Sequence, residues 1–329
     1  MRYRKFGQTD MLVSETGFGA WAIGGGARVG ETAIGWGDAD DSVSQKAIHA
    51  ALDAGINFFD TADIYGLGHS ETLLGRVIGH KKDIIIASKG GNVAREELFT
   101  TDYTKAYLVK ACEDSLRRLR RDSIDYYQLH TARLASLQDG ACVEAMELLQ
   151  QQGKIRYWGL SLNTFDPLPE AEYLLEQKKG YGFQLVLNVI NQRALPLLKK
   201  AATAGYGIIA RMPLQFGLLT GKFDDGAFFP ENDHRKNRLT KDVIEATLKN
   251  LAPIWEGCKK YHCSKTELAM SYILSYPEIS VVIPGIRTAA QARENAKPVF
   301  TPDKDDRLFI EQAGQAGLAG LLELIQKKG

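Results

Sequence analysis

The chain has 329 residues, with 41 lysines and arginines against 40 aspartates and glutamates, so its formal net charge is +1. Hydrophobic residues make up 44% and charged residues 25%, which is ordinary for a soluble globular protein. There is no charge excess to recruit nucleic acid or an acidic membrane face, and no apolar run approaches the ~20 residues that span a bilayer.

The opening stretch MRYRKFGQTDMLVSETG is polar and lacks the apolar core of a secretory signal. Its first part, RYRKFGQTDMLVS, reads as a hairpin. From there β-rich runs recur: 13–19, 56–60, 83–89, 124–130, 155–161, 183–188, 207–211 and 279–285. Several are continuous apolar runs, as expected of strands buried on both faces of a parallel sheet. Helical patterns lie between them, at 41–55, 103–119, about 140–151, 167–177, 193–204, 241–261 and 264–276. In the first, Ala47, Ile48, Ala51 and Leu52 share one stripe; in the second, Tyr107, Leu108, Ala111, Cys112, Ser115, Leu116 and Leu119 recur at helical spacing.

Eight strand–helix units predict a (β/α)8 TIM barrel over residues 1–329, one domain with the N-terminal β-hairpin plugging its bottom. A doubly wound sheet is the other candidate, but GFGAWAIGGG after the first run does not lead at once into a helix as a dinucleotide fingerprint would. The polar stretch 221–238, GKFDDGAFFPENDHRKNR, predicts a lid loop between the seventh and eighth strands. The cysteines, Cys112, Cys142, Cys258 and Cys263, form no Cys-x-x-Cys pair, and a reducing, cytoplasmic setting is expected. CKKYHC (258–263) offers three metal-ligand types without a second cluster and reads as a helix end; no metal is expected.

In such a barrel, chemistry gathers at the C-terminal ends of the strands. The second, third and fourth runs end in Asp60, Lys89 and His130, and Tyr65 lies just past the second. Each alone fits a structural role, but an acid, an ammonium, an imidazole and a phenol on one rim fit proton transfer to a carbonyl oxygen. A free phenol, with a pKa near 10, is a poor acid at neutral pH, and a nearby ammonium lowers that value. Tyr65 is therefore the expected proton donor, Lys89 its tuner, Asp60 the brace for Lys89, and His130 the group that orients the substrate oxygen. The hydride must come from a nicotinamide cofactor, because no side chain supplies one.

GINFFDTADIYGLGHSE, IIIASKGG, SLRRLRRDSIDYYQLH, QGKIRYWGLS, GLLTGK and IPGIRTAAQARENA, in this order, resemble the blocks of the aldo-keto reductases, in the bacterial branch related to potassium-channel β subunits. The resemblance covers essentially the whole chain. It implies the same barrel, the tetrad Asp60, Tyr65, Lys89 and His130, and an extended NADP(H). It places Gly19, Ala20, Trp21, Asp60, Ser161, Asn163, Gln184 and Arg211 around the nicotinamide. Leu214, Gly217, Leu219, Gly221 and Lys222 would wrap the pyrophosphate, and Gly285, Arg287, Gln291, Glu294 and Asn295 would hold the adenosine. Arg287 is placed for the 2′-phosphate, which favours NADP over NAD.

The sequence departs from the family at three points. Arg211 replaces the usual aromatic residue that stacks on the nicotinamide, GLSLN shifts the expected asparagine to Asn163, and HTARLAS lacks an aspartate after the histidine. Trp21, Trp36, Phe228 and Phe229 are candidate pocket aromatics for a small-molecule aldehyde, ketone or sugar. Two other readings are weighed: a slow or non-catalytic redox-sensing regulatory subunit, and a Schiff-base aldolase acting through Lys89, which a lysine kept protonated by Asp60 disfavours.

Overall fold

Tyr3–Lys5 and Leu12–Ser14 pair antiparallel, and the hairpin they form turns Phe6, Met11 and Val13 inward. This computed structural model describes residues 1–328 apart from 31, 36, 96, 225, 232 and 298, so the candidate Trp36 lies outside the described residues. The hairpin closes the bottom of a parallel sheet in which every strand neighbours the next in chain order: β1 (Phe18–Gly19), β2 (Phe58–Asp60), β3 (Ile85–Gly90), β4 (Ile124–His130), β5 (Ile155–Ser161), β6 (Gly182–Val186), β7 (Gly207–Arg211) and β8 (Val281–Ile283). Parallel bridges from Thr16 to Val282 and from Gly19 to Gly285 bring β8 back to β1 and complete the (β/α)8 barrel. Across that seam the Gly17 and Gly19 amides donate to the Val282 and Pro284 carbonyls at 2.8 and 2.9 Å.

The first expected run does not form one strand. Leu12–Ser14 belongs to the plug and only Phe18–Gly19 to the barrel, because the chain must turn from the bottom hairpin into the staves between them. The remaining seven runs become barrel strands with boundary shifts of a few residues. The expected helices also form, including α1 (Asp41–Asp53), α3 (Lys105–Leu119), α4 (Ala141–Gln151), α5 (Leu168–Gln177), α6 (Leu195–Thr203) and α7 (Lys265–Leu274). Side-chain oxygens of Asp40, Thr104 and Ser264 cap the first turns of α1, α3 and α7, satisfying amides that have no partner within the helix. The expected helix over 241–261 divides into Lys241–Trp255 and Gly257–Lys260.

The pattern reading missed α2 (His69–Ile78), whose start is obscured by glycines and whose interior holds Gly75. That glycine is a packing device: a Cβ there would sit 2.1 Å from the Arg118 carbonyl oxygen, so α2 and α3 could not approach as they do. Two antiparallel strand pairs, Arg28–Val29 with Thr32–Ala33 and Asn92–Arg95 with Leu98–Thr101, together with α8 (Ala289–Asn295) and the C-terminal helices Lys304–Gln312 and Ala319–Lys327, lie outside the expected elements.

Two apolar layers result. The larger lies between staves and helices, and the smaller fills the barrel with Phe6, Met11, Val13, Phe58, Ile85, Ala87, Tyr126, Ile209, Val281 and Ile283. A Cβ on Gly207 would fall 2.5 Å from the Phe6 ring, so the plug fits because β7 begins with glycine. The Arg4 guanidinium pins the hairpin to the chain after α7 by donating to the carbonyls of Leu274, Tyr276 and Ile279. Among the described residues no helix is long and apolar enough to cross a membrane.

Phe6→Ala is expected to destabilise the fold by about 3–5 kcal/mol, the usual range for emptying a buried aromatic site. A urea melt followed by far-UV circular dichroism checks this; a loss below about 1 kcal/mol would mean that the plug does not brace the barrel.

Candidate active site

Strand pairing decides which side chains meet at the top of the barrel. Asp60 ends β2 opposite Ala87, Lys89 on β3 pairs with Gln128 on β4, His130 pairs with Ser161 on β5, and Ser161 pairs with Gln184 on β6. Asp60, Lys89, Gln128, Ser161 and Gln184 are all buried. The Lys89 ammonium donates to Asp60 Oδ1 at 2.6 Å and to the Thr61 carbonyl at 2.8 Å, and lies 3.3 Å from the Tyr65 hydroxyl oxygen. The other Asp60 oxygen accepts from Gln184 Nε2 at 2.7 Å and Gln128 Nε2 at 3.2 Å.

Tyr65 follows β2 on a tight 3-10 turn. Gly66 takes φ +59°, and a Cβ there would fall 2.0 Å from the Gly24 carbonyl oxygen, so this turn can press against 22–24 only as glycine. The close approach lays the Tyr65 ring on Trp21, with centroids 5.8 Å apart and planes 16° apart. His130 meets the same phenol ring edge-on at 6.0 Å. Trp21 donates its indole N–H to the Ile34 carbonyl and stacks on His234 at 4.8 Å. His234 comes from the expected lid stretch, which therefore reaches over the phenol side of the rim.

The electrostatics follow from these contacts. Burial opposes the charge on Lys89, but Asp60 and then Tyr65 outweigh it and hold the ammonium above its ordinary value. Burial raises the Tyr65 phenol more than Lys89 lowers it, so its net displacement is upward, contrary to the sequence expectation of a lowered value. The reason is that the phenol is enclosed by Trp21, His130 and the turn, while Lys89 stands at a long 3.3 Å and spends its short contacts on Asp60 and Thr61. Burial, with Lys89 and Arg211 behind it, pushes His130 well below the ordinary imidazole value, so the ring is neutral at pH 7. Its Nδ1 makes no hydrogen bond among the described residues.

The expected tetrad is thus brought together. Gly19, Ala20 and Trp21 line its edge, and the Ala20 amide donates to the Asp60 carbonyl at 2.9 Å. Arg211 ends β7 and donates to the Leu162 carbonyl and the Thr164 hydroxyl, while its buried Nε makes no hydrogen bond. Asn163 spends its side-chain oxygen on the amides of Phe165 and Asp166 and holds its own turn. Leu214, Gly217, Leu219 and Gly221 lie in or beside the 3-10 segment Gln215–Thr220, with Lys222 exposed after it. On the far side, Gly285 follows β8 and Arg287 donates to the Asp38 carbonyl. The Gln291 side-chain oxygen accepts from the Arg287 and Thr288 amides, Glu294 pairs with Lys297, and Asn295 is buried in α8.

Two pocket candidates sit elsewhere. Phe228 is 83% exposed, and Phe229 packs on Phe223 beneath the Arg235 guanidinium. The reading also missed Gln128, although it lies two residues before His130 and the period of two puts both on one face of β4. It missed His234 as well, because nothing local in the lid sequence marks the indole that the fold brings beneath it.

Residues 15–309 match the sequence model of the aldo/keto reductase family. The chain is 32% identical over 306 residues to an uncharacterized oxidoreductase, YqkF, of Bacillus subtilis, covering 90% of both chains. It is 25% identical to a probable voltage-gated potassium channel subunit beta of Oryza sativa, covering 94% of this chain and 95% of that one. The solved aldo-keto reductase AKR11C1 of Bacillus halodurans, in its holo form, superposes with a TM-score of 0.77 at 27% identity, covering 95% of this chain and 96% of that one.

Lys89→Met is expected to destabilise the protein by about 3–5 kcal/mol, because it leaves Asp60 buried without its cation. Adding Asp60→Leu should recover a large part of that loss, and a double-mutant cycle in urea reads the coupling; additive losses would mean that the pair is not coupled. Burial and then the neighbouring Arg238 lower His234 to about 4. The folded lid therefore favours neutral imidazole, so its contribution is full above the unfolded value of about 6.5 and is lost as pH falls through about 4. Amide exchange at 233–238 should accelerate across that window, and His234→Phe should flatten the dependence.

Proposed function

The chain belongs to the aldo/keto reductase family and is an oxidoreductase; from that premise we propose that it reduces an aldehyde or ketone to an alcohol, with NADPH as hydride donor and Tyr65 as general acid. The observation that carries this reading is the buried, charge-stabilised Lys89, 3.3 Å from a phenol that His130 faces edge-on.

The residues present fit a dinucleotide. Arg211, Lys222 and Arg238 make no ion pair among the described residues, which suits an anionic partner. Phe216 and Gly217 take φ +55° and +100°, and Gly221 φ +72°, so the 214–222 backbone is bent into left-handed turns of the kind that wrap phosphates. In this reading Gly19, Ala20, Trp21, Ser161, Asn163, Gln184 and Arg211 border the nicotinamide. Leu214, Gly217, Leu219, Gly221 and Lys222 hold the pyrophosphate. Gly285, Arg287, Gln291, Glu294 and Asn295 hold the adenosine, with Arg287 exchanging the Asp38 carbonyl for a 2′-phosphate. A bound NADPH would supply the hydride.

The chain's own groups then manage the proton. The raised phenol keeps Tyr65 protonated at neutral pH, so the acid is loaded before substrate arrives. The substrate oxygen accepts hydrogen bonds from the Tyr65 hydroxyl and the neutral His130 imidazole, which would hold the carbonyl in place for hydride from a bound NADPH. As negative charge develops on that oxygen, the phenol proton crosses to it, and the Lys89 ammonium stabilises the phenolate left behind. Asp60 keeps Lys89 charged and in place, and the Gln128 and Gln184 amides occupy the second Asp60 oxygen so that the carboxylate cannot swing toward the substrate. The Arg211 guanidinium can stack as a plane, but its charge disfavours an oxidised, cationic ring.

NADPH absorbance with a panel of aldehydes, ketones and open-chain sugars tests the activity. Tyr65→Phe should lower turnover ~10²-fold or more while retaining NADPH binding. Full activity in the variant would remove Tyr65 from the acid role, and tight NADPH binding without turnover of any carbonyl would favour the redox-sensing reading. For Arg211→Tyr, NADP⁺ affinity should rise relative to NADPH; an unchanged ratio of the two dissociation constants would dismiss the charge argument.

A further inference from the structure

The stretch CKKYHC ends the short helix Gly257–Lys260 in a specific way. His262 takes the left-handed conformation, φ +48°, its amide donates back to the Lys259 carbonyl at 3.4 Å, and the Cys263 amide donates to the Cys258 carbonyl at 3.1 Å. This pair of backward hydrogen bonds is the Schellman helix stop, in which the residue after the left-handed position packs its side chain against the residue five before it. An apolar contact usually occupies those two places. Here they are Cys263 and Cys258, both free and half-buried, and the 3.1 Å bond from the Cys263 amide to the Cys258 carbonyl holds their backbones against each other. The other two cysteines, Cys112 and Cys142, are fully buried in the core, each on a different helix.

The pair also lies next to the proposed phosphate-wrapping segment. Cys263 directly precedes Ser264, whose hydroxyl and backbone amide form a reciprocal capping box with Glu267 at the start of α7. The next residue, Lys265, lays its methylenes against Gly221, where a Cβ would fall 2.7 Å from Lys265 Cδ, and places its ammonium 5.6 Å from the Trp255 ring centroid. Leu218, Gly221, Trp255 and Lys265 line one small cleft.

We propose that Cys258 and Cys263 are a dithiol–disulfide site, closed by a small-molecule disulfide of the glutathione type, and that closure shifts Lys265 against Gly221 and weakens NADP(H) binding. In the first step one cysteine, as thiolate, attacks the small-molecule disulfide; a mixed disulfide forms and one small thiol leaves. The second cysteine then attacks the protein sulfur of that mixed bond, the protein disulfide forms, and the second small thiol leaves. The two protein thiols are oxidised by two electrons, and one small-molecule disulfide is reduced to two thiols. Bond formation draws the two side chains together, and in this proposal that pull passes through the cap at Ser264 to Lys265. Burial raises both thiols, Cys263 to about 12, with Glu267 adding to the effect and Lys265 opposing it at Cys258. Little thiolate is present at neutral pH, so this is a slow, equilibrium-governed couple rather than a fast peroxide trap.

The part that concerns binding rests on the proposed function, and the part that concerns thiols does not. The folded full chain is equilibrated with reduced and oxidised glutathione at fixed ratios, quenched with acid, alkylated and weighed, and NADPH affinity is measured by fluorescence on the same samples. The expected result is a species that has lost two alkylatable thiols without added glutathione mass, mapped to a 258–263 linkage. It should bind NADPH several-fold more weakly and recover fully with dithiothreitol. Cys258→Ser and Cys263→Ser should each stop at a mixed disulfide, carrying added glutathione mass that dithiothreitol removes and showing no intramolecular linkage. If wild type never loses the two thiols, the proposal is overturned whatever the cofactor does. If the bond forms and NADPH affinity is unchanged, the link through Lys265 is overturned. If neither redox form binds NADPH, the cofactor assignment fails, and with it that link, while the mass result still decides the dithiol. The wild-type arms suffice even if a serine variant fails to fold.

Discussion

The buried contact between Lys89 and Asp60 is the constraint around which the top of the barrel is organised. Two unit charges removed from water are costly, and their attraction offsets that cost only with good geometry and with every remaining hydrogen-bonding position filled. The structure meets both conditions. Lys89 has the Asp60 carboxylate, the Thr61 carbonyl and the Tyr65 hydroxyl within reach, and Asp60 has the Gln128 and Gln184 amides on its other oxygen. Five barrel elements, β2, the turn after it, β3, β4 and β6, are thereby held to one point. An ion pair placed so deeply is a weak means of gaining stability, and it lies 3.3 Å from a phenol.

Around this point the phenol is confined from several directions. Trp21 covers one face, His130 meets its edge, and Gly66 lets the turn press onto 22–24. The enclosure that raises the Tyr65 phenol also excludes water, and it keeps the hydroxyl protonated at neutral pH. The loop between β1 and α1 links this region to the rest of the rim. Its backbone carbonyls at Ile34, Gly35 and Asp38 accept from Trp21, His234 and Arg287, and so join the phenol wall, the lid and the stretch after β8.

Much of the architecture was legible from local pattern. Apolar runs at regular spacing announced the staves, and the polar residues ending them announced the rim. Asp60, Lys89 and His130 could be placed because strand ends in this fold converge by construction, and Tyr65 because it follows one of them within a turn. Gln128 was equally legible by strand alternation and was overlooked. Helix α2 was not, since the glycines that obscure it locally serve the approach of α3 from more than forty residues away. The same holds for the lid: DHRKNR reads as a solvated charge run, yet Asp233 and His234 are buried and Arg238 lies over Phe216.

The sequence by itself determined the class of fold, the order of its staves, the plug and the identity of the four groups at the rim. Each of those depends on local periodicity or on chain position within a repeating unit. Only the tertiary structure decided how the groups behave. The balance at Tyr65 between burial and the Lys89 charge, the pull of the Gln184 amide onto Asp60, the use of Asn163 in its own turn and the stacking of His234 on Trp21 are all relations between residues distant in the chain. Their strengths depend on distance and on exclusion of water, and neither quantity exists until the barrel has closed.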